Sequence, residues 1–299
     1  MSSINIGLII LSCLFHAVWN VLTQTSKNPN LFSGLKGVWI VGAALALYLV
    51  FDYKSFPADI LGWALLSGVL HGFYIFCLSK AYHTQDISYV YPIARSAPVF
   101  VPPLAWLMLG EKLSPIIFLS IGMILLAIYI LHFKRHLISG FKNLYEAILH
   151  RDLRWAFYTL AMVVAYSLVD KRGMEVFYAH YPHQPAANGI IFFFLEGIVC
   201  FTLYFAYLFA THSPKEILSA WKADWKLALV AGSATVGSYG LICIVLQFEA
   251  VGAVVAARQF SVLLVVFWGC WKLGESFGRQ RMTAAALIVS GIALMTFGR

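Results

Sequence analysis

The sequence predicts an all-α membrane protein of about ten transmembrane helices, arranged as two inverted five-helix repeats. Three observations lead there. Of the 299 residues, 61% are hydrophobic and 11% charged, a balance typical of multi-span membrane proteins and foreign to ordinary soluble domains. The apolar residues fall into runs of roughly 20, the length of a helix that crosses the hydrocarbon core. Short motifs of the first half also return in the second at nearly the same offset. Ala94-Arg95 with Pro98-Val99 is echoed by Ala257-Arg258 with Ser261-Val262, and Leu109-Gly110-Glu111 by Leu273-Gly274-Glu275. Trp19-Asn20 and Val169-Asp170 form a matching polar pair near the start of each half. Such self-similarity marks an internal duplication.

The spans are expected at Ile4–Thr25, Leu31–Phe51, Asp59–Tyr82, Ser88–Gly110 and Pro115–Phe133, then at Leu153–Arg172, Ala186–Thr211, Ala223–Gln247, Val251–Lys272 and Arg281–Phe297. Each is read as a helix, because an open chain in lipid can satisfy its backbone in no other way. The connections are short and hold turn formers: Asn28-Pro29, Pro57, Pro182, Pro185 and Ser213-Pro214. This gives a first repeat over 1–133, a linker over 134–152 and a second repeat over 153–299. In the linker, Leu137, Phe141, Leu144 and Ile148 share one helical face opposite Lys142, Glu146, His150 and Arg151. The pattern suits an interfacial amphipathic helix or a solvated connection. Five spans per half invert the second half relative to the first, an architecture of secondary transporters whose site lies at the repeat interface.

The fourth span is broken and charged. It holds Pro92, Pro98, Pro102, Pro103 and Arg95. Prolines remove backbone donors, and a charge inside a span faces protein or water. The span either lines a cavity or is a kinked packing helix whose Arg95 snorkels.

The net charge of +8 lies mostly between spans, where it reports orientation and anionic lipid rather than nucleic acid. Loops after odd-numbered spans are the more basic, which places them in the cytoplasm and both termini outside. Cys13, Cys77, Cys200, Cys243 and Cys270 all sit in spans and show neither a disulfide framework nor metal-ligand spacing. The start lacks a basic n-region and a cleavage site, so the first span is expected to be retained.

Polar residues within spans carry the functional signal. Ser12, His16, Asn20 and Gln24 share one face of the first span, and Ser67, His71 and Tyr74 one face of the third. The sixth holds Tyr158, Tyr166 and Asp170, the seventh Asn188 and Glu196, and the eighth Thr235, Tyr239, Cys243 and Gln247. Arg95, Glu196 and Arg258 facing lipid would together cost on the order of 8–10 kcal/mol, so they are expected to face inward. Singly, each His or Tyr is explained by an interhelical hydrogen bond. Jointly, the faces describe a polar cavity lined by aromatics. Glu196 stands mid-span, with Asp170 and Glu249 nearer span ends. It is a candidate proton carrier, alone or with His16 and His71, or a fixed ion-pair partner of Arg95 or Arg258. Hydrolase and nucleotide-binding motifs are absent, and His180 and His183 lie in a Pro-rich stretch with no ligand partner. The expectation is no enzyme, no cofactor and no metal site.

His16-Ala-Val-Trp-Asn20, Tyr91-Pro-Ile-Ala-Arg-Ser-Ala-Pro98 and Leu109-Gly-Glu111, in a duplicated ten-span chain, resemble the EamA family of the drug/metabolite transporter superfamily. The resemblance implies an inverted-repeat carrier with a central cavity between the halves, often an exporter of amino acids, metabolites or drugs. It also supports Tyr91 and Pro92 as neighbours of the pathway. The second half departs from the pattern, since Arg258-Gln-Phe-Ser261 lacks the proline of its counterpart. The expected pathway residues are His16, Trp19, Asn20, His71, Tyr74, Tyr91, Arg95, Tyr166, Asp170, Glu196, Tyr239 and Arg258. The expected function is secondary export of small amphipathic solutes by alternating access. A flippase for lipid-linked sugars and a non-transporting scaffold are the alternatives. Expected partners are the solute, the bilayer of a bacterial inner (plasma) membrane and a coupled proton, with monomer or dimer left open.

Overall fold

Local sequence sets most helix ends. In the computed structural model, α1 (Ser3–Thr25) is followed by α2 (Pro29–Tyr48), whose first turn is closed by Asn28. The Asn28 Oδ1 accepts from the backbone N–H groups of Asn30 at 3.1 Å and Leu31 at 3.2 Å, and Pro29 takes the first helical position. Both devices suit a helix start, where N–H groups have no intrahelical acceptor. Next come α3 (Ala58–Thr84), α4 (Ala97–Leu109), α5 (Pro115–His132), α6 (Arg154–His180) and α7 (Pro185–Thr211). The last are α8 (Pro214–Leu246), α9 (Val251–Ala257) and α10 (Arg279–Met295). The capping box of Ser213 with Glu216 starts α8 at Pro214 rather than at the expected Ala223.

The structure describes residues 1–49, 56–84, 93, 96–112, 114–132, 154–261, 263–264 and 279–295. Among these it is all-helical, with ten helices of the lengths given above. Five of them, α1, α2, α3, α7 and α8, are long and apolar enough to cross a membrane. Shorter apolar helices cover Ala97–Leu109, Pro115–Ala127 and Met282–Leu294. The linker 134–152, Leu273-Gly274-Glu275, Tyr91 and Arg95 lie outside the described residues.

The chain forms two compact units. The first is Met1–Ile10, Cys77–Leu168 and Glu249–Arg299; the second is Leu11–Phe76 and Val169–Phe248. In the first unit α5 packs on α10 and α9 on α4. Ile121, Ile124 and Ala127 are buried on α5, and Ala284, Ile288 and Ile292 on α10. Here the Leu-Gly-Glu motif has a visible task. Gly110 ends α4 in the left-handed region at φ 68°, where a Cβ would be strained. The carboxylate of Glu111 then accepts from the Val251 N–H, at 3.1 Å to each oxygen. It thereby caps α9, where a negative charge also suits the helix dipole. Glu111→Ala should lower stability by about 1.5–3 kcal/mol, the worth of a hydrogen bond to a charged group. Thermal unfolding in detergent would show it, and an unchanged midpoint would reject the cap as a stabilising contact.

In the second unit α2, α7 and α8 pack against one another, around Phe192, Phe193, Phe201 and Tyr204 of α7. Several of the polar span residues prove to be helix-to-helix hydrogen bonds. Ser12 donates to the Ser238 carbonyl at 2.7 Å. Asn188 donates to Gln247 Oε1 at 3.0 Å, and Gln247 Nε2 to the Pro185 carbonyl at 2.8 Å. Such bonds leave few buried polar atoms unpaired, the condition for stability in a low-dielectric interior.

Candidate functional site: a buried carboxylate pair

Four helices of the second unit bring one polar residue or more to a common point. Helix α3 supplies Ser67 and His71, a pair four residues apart and so on one face. Asp170 comes from α6, Glu196 from α7 and Tyr239 from α8. Asp170 is 0% exposed and Glu196 2%. The Ser67 hydroxyl lies within hydrogen-bond distance of Asp170 Oδ1 and of Glu196 Oε2. Tyr239 donates its phenolic hydrogen to Asp170 Oδ2. His71 Nδ1 is 3.1 Å from the Ser67 carbonyl oxygen, 3.2 Å from Ser67 Oγ and 3.5 Å from Glu196 Oε2. Its Nε2 is 3.9 Å from Asp170 Oδ2. The edge of the Tyr239 ring meets the His71 ring at 5.0 Å.

Close helix packing makes this possible. A Cβ on Gly68 would stand 2.5 Å from the Glu196 carbonyl oxygen and 2.6 Å from Val199 Cβ. Only glycine allows α3 and α7 to meet there, and that approach sets Glu196 beside Ser67.

Hydrogen counting says what the cluster holds. A serine hydroxyl has one hydrogen to donate. It cannot donate to both carboxylates, so one of the two short contacts needs a hydrogen from a carboxyl group. Asp170 also accepts from Tyr239. With the hydrogen on Glu196, its carboxyl donates to Ser67 Oγ while Ser67 donates to Asp170. His71 Nδ1 faces the Ser67 carbonyl and Nε2 faces Asp170. Ligand atoms of His71, Asp170 and Glu196 also lie within 4.8 Å of one another. That spacing would suit a cation as well.

Asp170 was expected nearer a span end than Glu196, and α6 continues past it to His180. Lys171 donates to the Leu246 carbonyl at 2.9 Å and pairs with Glu175 at 3.2 Å, and Arg172 also meets Glu175 at 3.2 Å. Those partners accommodate the charges within the helix and leave Asp170 inside it.

The other expected residues fall elsewhere. His16 and Trp19 form an edge-to-face pair at 4.8 Å, in the second unit. Asn20 and Tyr74 are half-buried in the same unit. Tyr166, buried, and Arg258, half-buried, belong to the first unit. Glu196 meets Ser67 and His71. Sequence reasoning passed over Lys36, which is 5% exposed on α2. A lone lysine close to a span's start reads as an interfacial cation, and its surroundings leave no local signal.

No curated protein matches the chain by sequence. A solved structure described only as "Crystal structure of protein" aligns over 99% of this chain and 98% of its own, with a TM-score of 0.73 and 15% identity. At that identity the likeness concerns the fold alone. Residues 3–133 match the model of the EamA-like transporter family.

Proposed function

We propose that the chain is a proton-coupled secondary transporter that exports small amphipathic metabolites, such as amino acids, by alternating access between two inverted repeats. The observation that carries this reading is the meeting of two buried acids, Asp170 and Glu196, at the single hydroxyl of Ser67, which calls for one proton on the pair. Loss of that proton would leave two buried carboxylates against one hydroxyl. Like charges so placed repel strongly in a low-dielectric interior, and relief requires α3, α6 and α7 to separate or water to enter. Proton binding is thereby tied to helix position, which is what exchange of a solute for a proton demands. The half-buried His71 is placed to pass the proton. A scaffold would gain nothing from such a pair, since buried acids are costly to keep.

The test is flux in proteoliposomes. Purified protein, a panel of amino acids and related metabolites, and an imposed pH gradient should give gradient-dependent movement of at least one solute. The same solute should carry protons, read by an internal pH dye. Flux that ignores the gradient would reject coupling, and no flux of any solute would reject the transporter reading.

A further inference from the structure

Lys36 has surroundings that the proton site does not explain. Its ammonium stands 3.9 Å from the centroid of the Trp19 ring. Trp39, one turn along α2, stacks on Trp221 of α8 at 5.7 Å and donates its indole N–H to the Trp225 carbonyl at 3.2 Å. Trp19, Trp39 and Trp221 pack on a cluster of Phe32, Leu35, Ala228 and Ala231. All belong to the second unit. Lys36 thus lies against the Trp19 ring, and Trp19 shares its packing surface with Trp39 and Trp221. Among the described residues no carboxylate lies within ion-pair distance of it, and the titratable group that acts on it is the thiol of Cys200.

A buried ammonium loses several kcal/mol of hydration. A single cation–π contact returns about 0.5–2 kcal/mol. No acid among the described residues makes up the difference, and a bound solute can. We propose that Lys36 is the anion subsite of the transported solute: it takes one carboxylate, while the indoles of Trp19, Trp39 and Trp221 hold the apolar part. The inference rests on the transporter reading and narrows its solute class to small carboxylic acids with an apolar or aromatic body. A monovalent carboxylate fits better than a phosphate. One ammonium is a single point charge, whereas a phosphate at neutral pH carries closer to two and is usually met by several donors. Cys200 faces Lys36 from α7 and lies one turn from Glu196, so the subsite and the proton site are about 6 Å apart along that helix.

Binding and transport can be read separately. Tryptophan fluorescence of the purified protein in detergent should saturate with phenylacetate and respond at least tenfold more weakly to phenylacetamide. Lys36→Met should abolish that preference, and Lys36→Arg should keep most of it. Phenylacetate, and not its amide, should shield Lys36 from reductive methylation in the wild-type protein, read by peptide mass spectrometry. This second measurement decides the matter if Lys36→Met does not fold. Equal response to acid and amide, an acid preference that survives in Lys36→Met, or no shielding would overturn the subsite. Acid binding and shielding with no flux of any solute would defeat the transporter reading and leave an acid-binding site at Lys36 standing. Flux of other solutes with no acid preference would defeat the subsite alone.

Discussion

Glu196→Gln is expected to erase the effect of a pH gradient on solute accumulation while leaving solute exchange at equal pH in place. Glutamine keeps the shape of the protonated acid. Its amide Nε2 can donate to Ser67 Oγ where the carboxyl hydrogen donated, and Ser67 can still donate to Asp170. The variant therefore imitates the proton-loaded cluster and cannot unload it. One pH unit is worth about 1.4 kcal/mol per proton, or a tenfold accumulation at one proton per solute. That factor should fall to about one in the variant. Counterflow of labelled against unlabelled solute needs no net proton movement and should continue. Accumulation that still follows the gradient would remove Glu196 from the coupling path. A variant that does not fold would instead show that its charge is structural. Asp170→Asn is expected to be less well tolerated. Asp170 accepts from both Tyr239 and Ser67, and an amide has one oxygen and a donor pair to offer two hydroxyl donors.

The helices were legible because membrane insertion imposes a length and an apolar composition that a sequence displays directly. Their starts were legible where side chains cap them, as at Asn28-Pro29 and Ser213-Pro214. The Glu196 position was legible for the same reason, since an acid in the middle of an apolar run has few tolerable uses. The partnership was not. Ser67 is separated from Asp170 by 103 residues and from Glu196 by 129, and nothing local to Asp170 reveals that Tyr239 meets it. Lys171 and Arg172, next to Asp170, find their partners in Glu175 and the Leu246 carbonyl, and of these only Glu175 is near in sequence. Lys36 failed to register for the opposite reason. Its neighbours Trp19 and Cys200 lie on other helices, and only the fold turns an apparent interfacial cation into a buried one. Leu109-Gly110-Glu111, a motif of family resemblance, acquired a physical meaning only when Glu111 was seen to cap α9.

Gly68→Ala should be strongly damaging, and Gly62→Ala on the same helix should be harmless. Both glycines lie within α3. On helix propensity alone each substitution should stabilise by about 1 kcal/mol. Their surroundings reverse the outcome for one of them. A Cβ on Gly62 meets nothing within 4 Å, whereas on Gly68 it meets the Glu196 carbonyl oxygen at 2.5 Å and Val199 Cβ at 2.6 Å. Backbone cannot swing aside as a side chain can, so α7 must move away from α3. Overpacking of this kind costs about 1–3 kcal/mol. The displacement also acts where Ser67 meets Glu196, so coupling should weaken together with stability. The expected pattern is a lower unfolding midpoint and a reduced gradient response for Gly68→Ala, with Gly62→Ala unchanged or slightly stabilised. Trimming the side chain in Val199→Ala leaves its Cβ and the Glu196 carbonyl in place, so it should restore little of the loss. Equal stability of the two variants would show that α3 and α7 are not held at this distance, and the shared proton would then lose its structural basis.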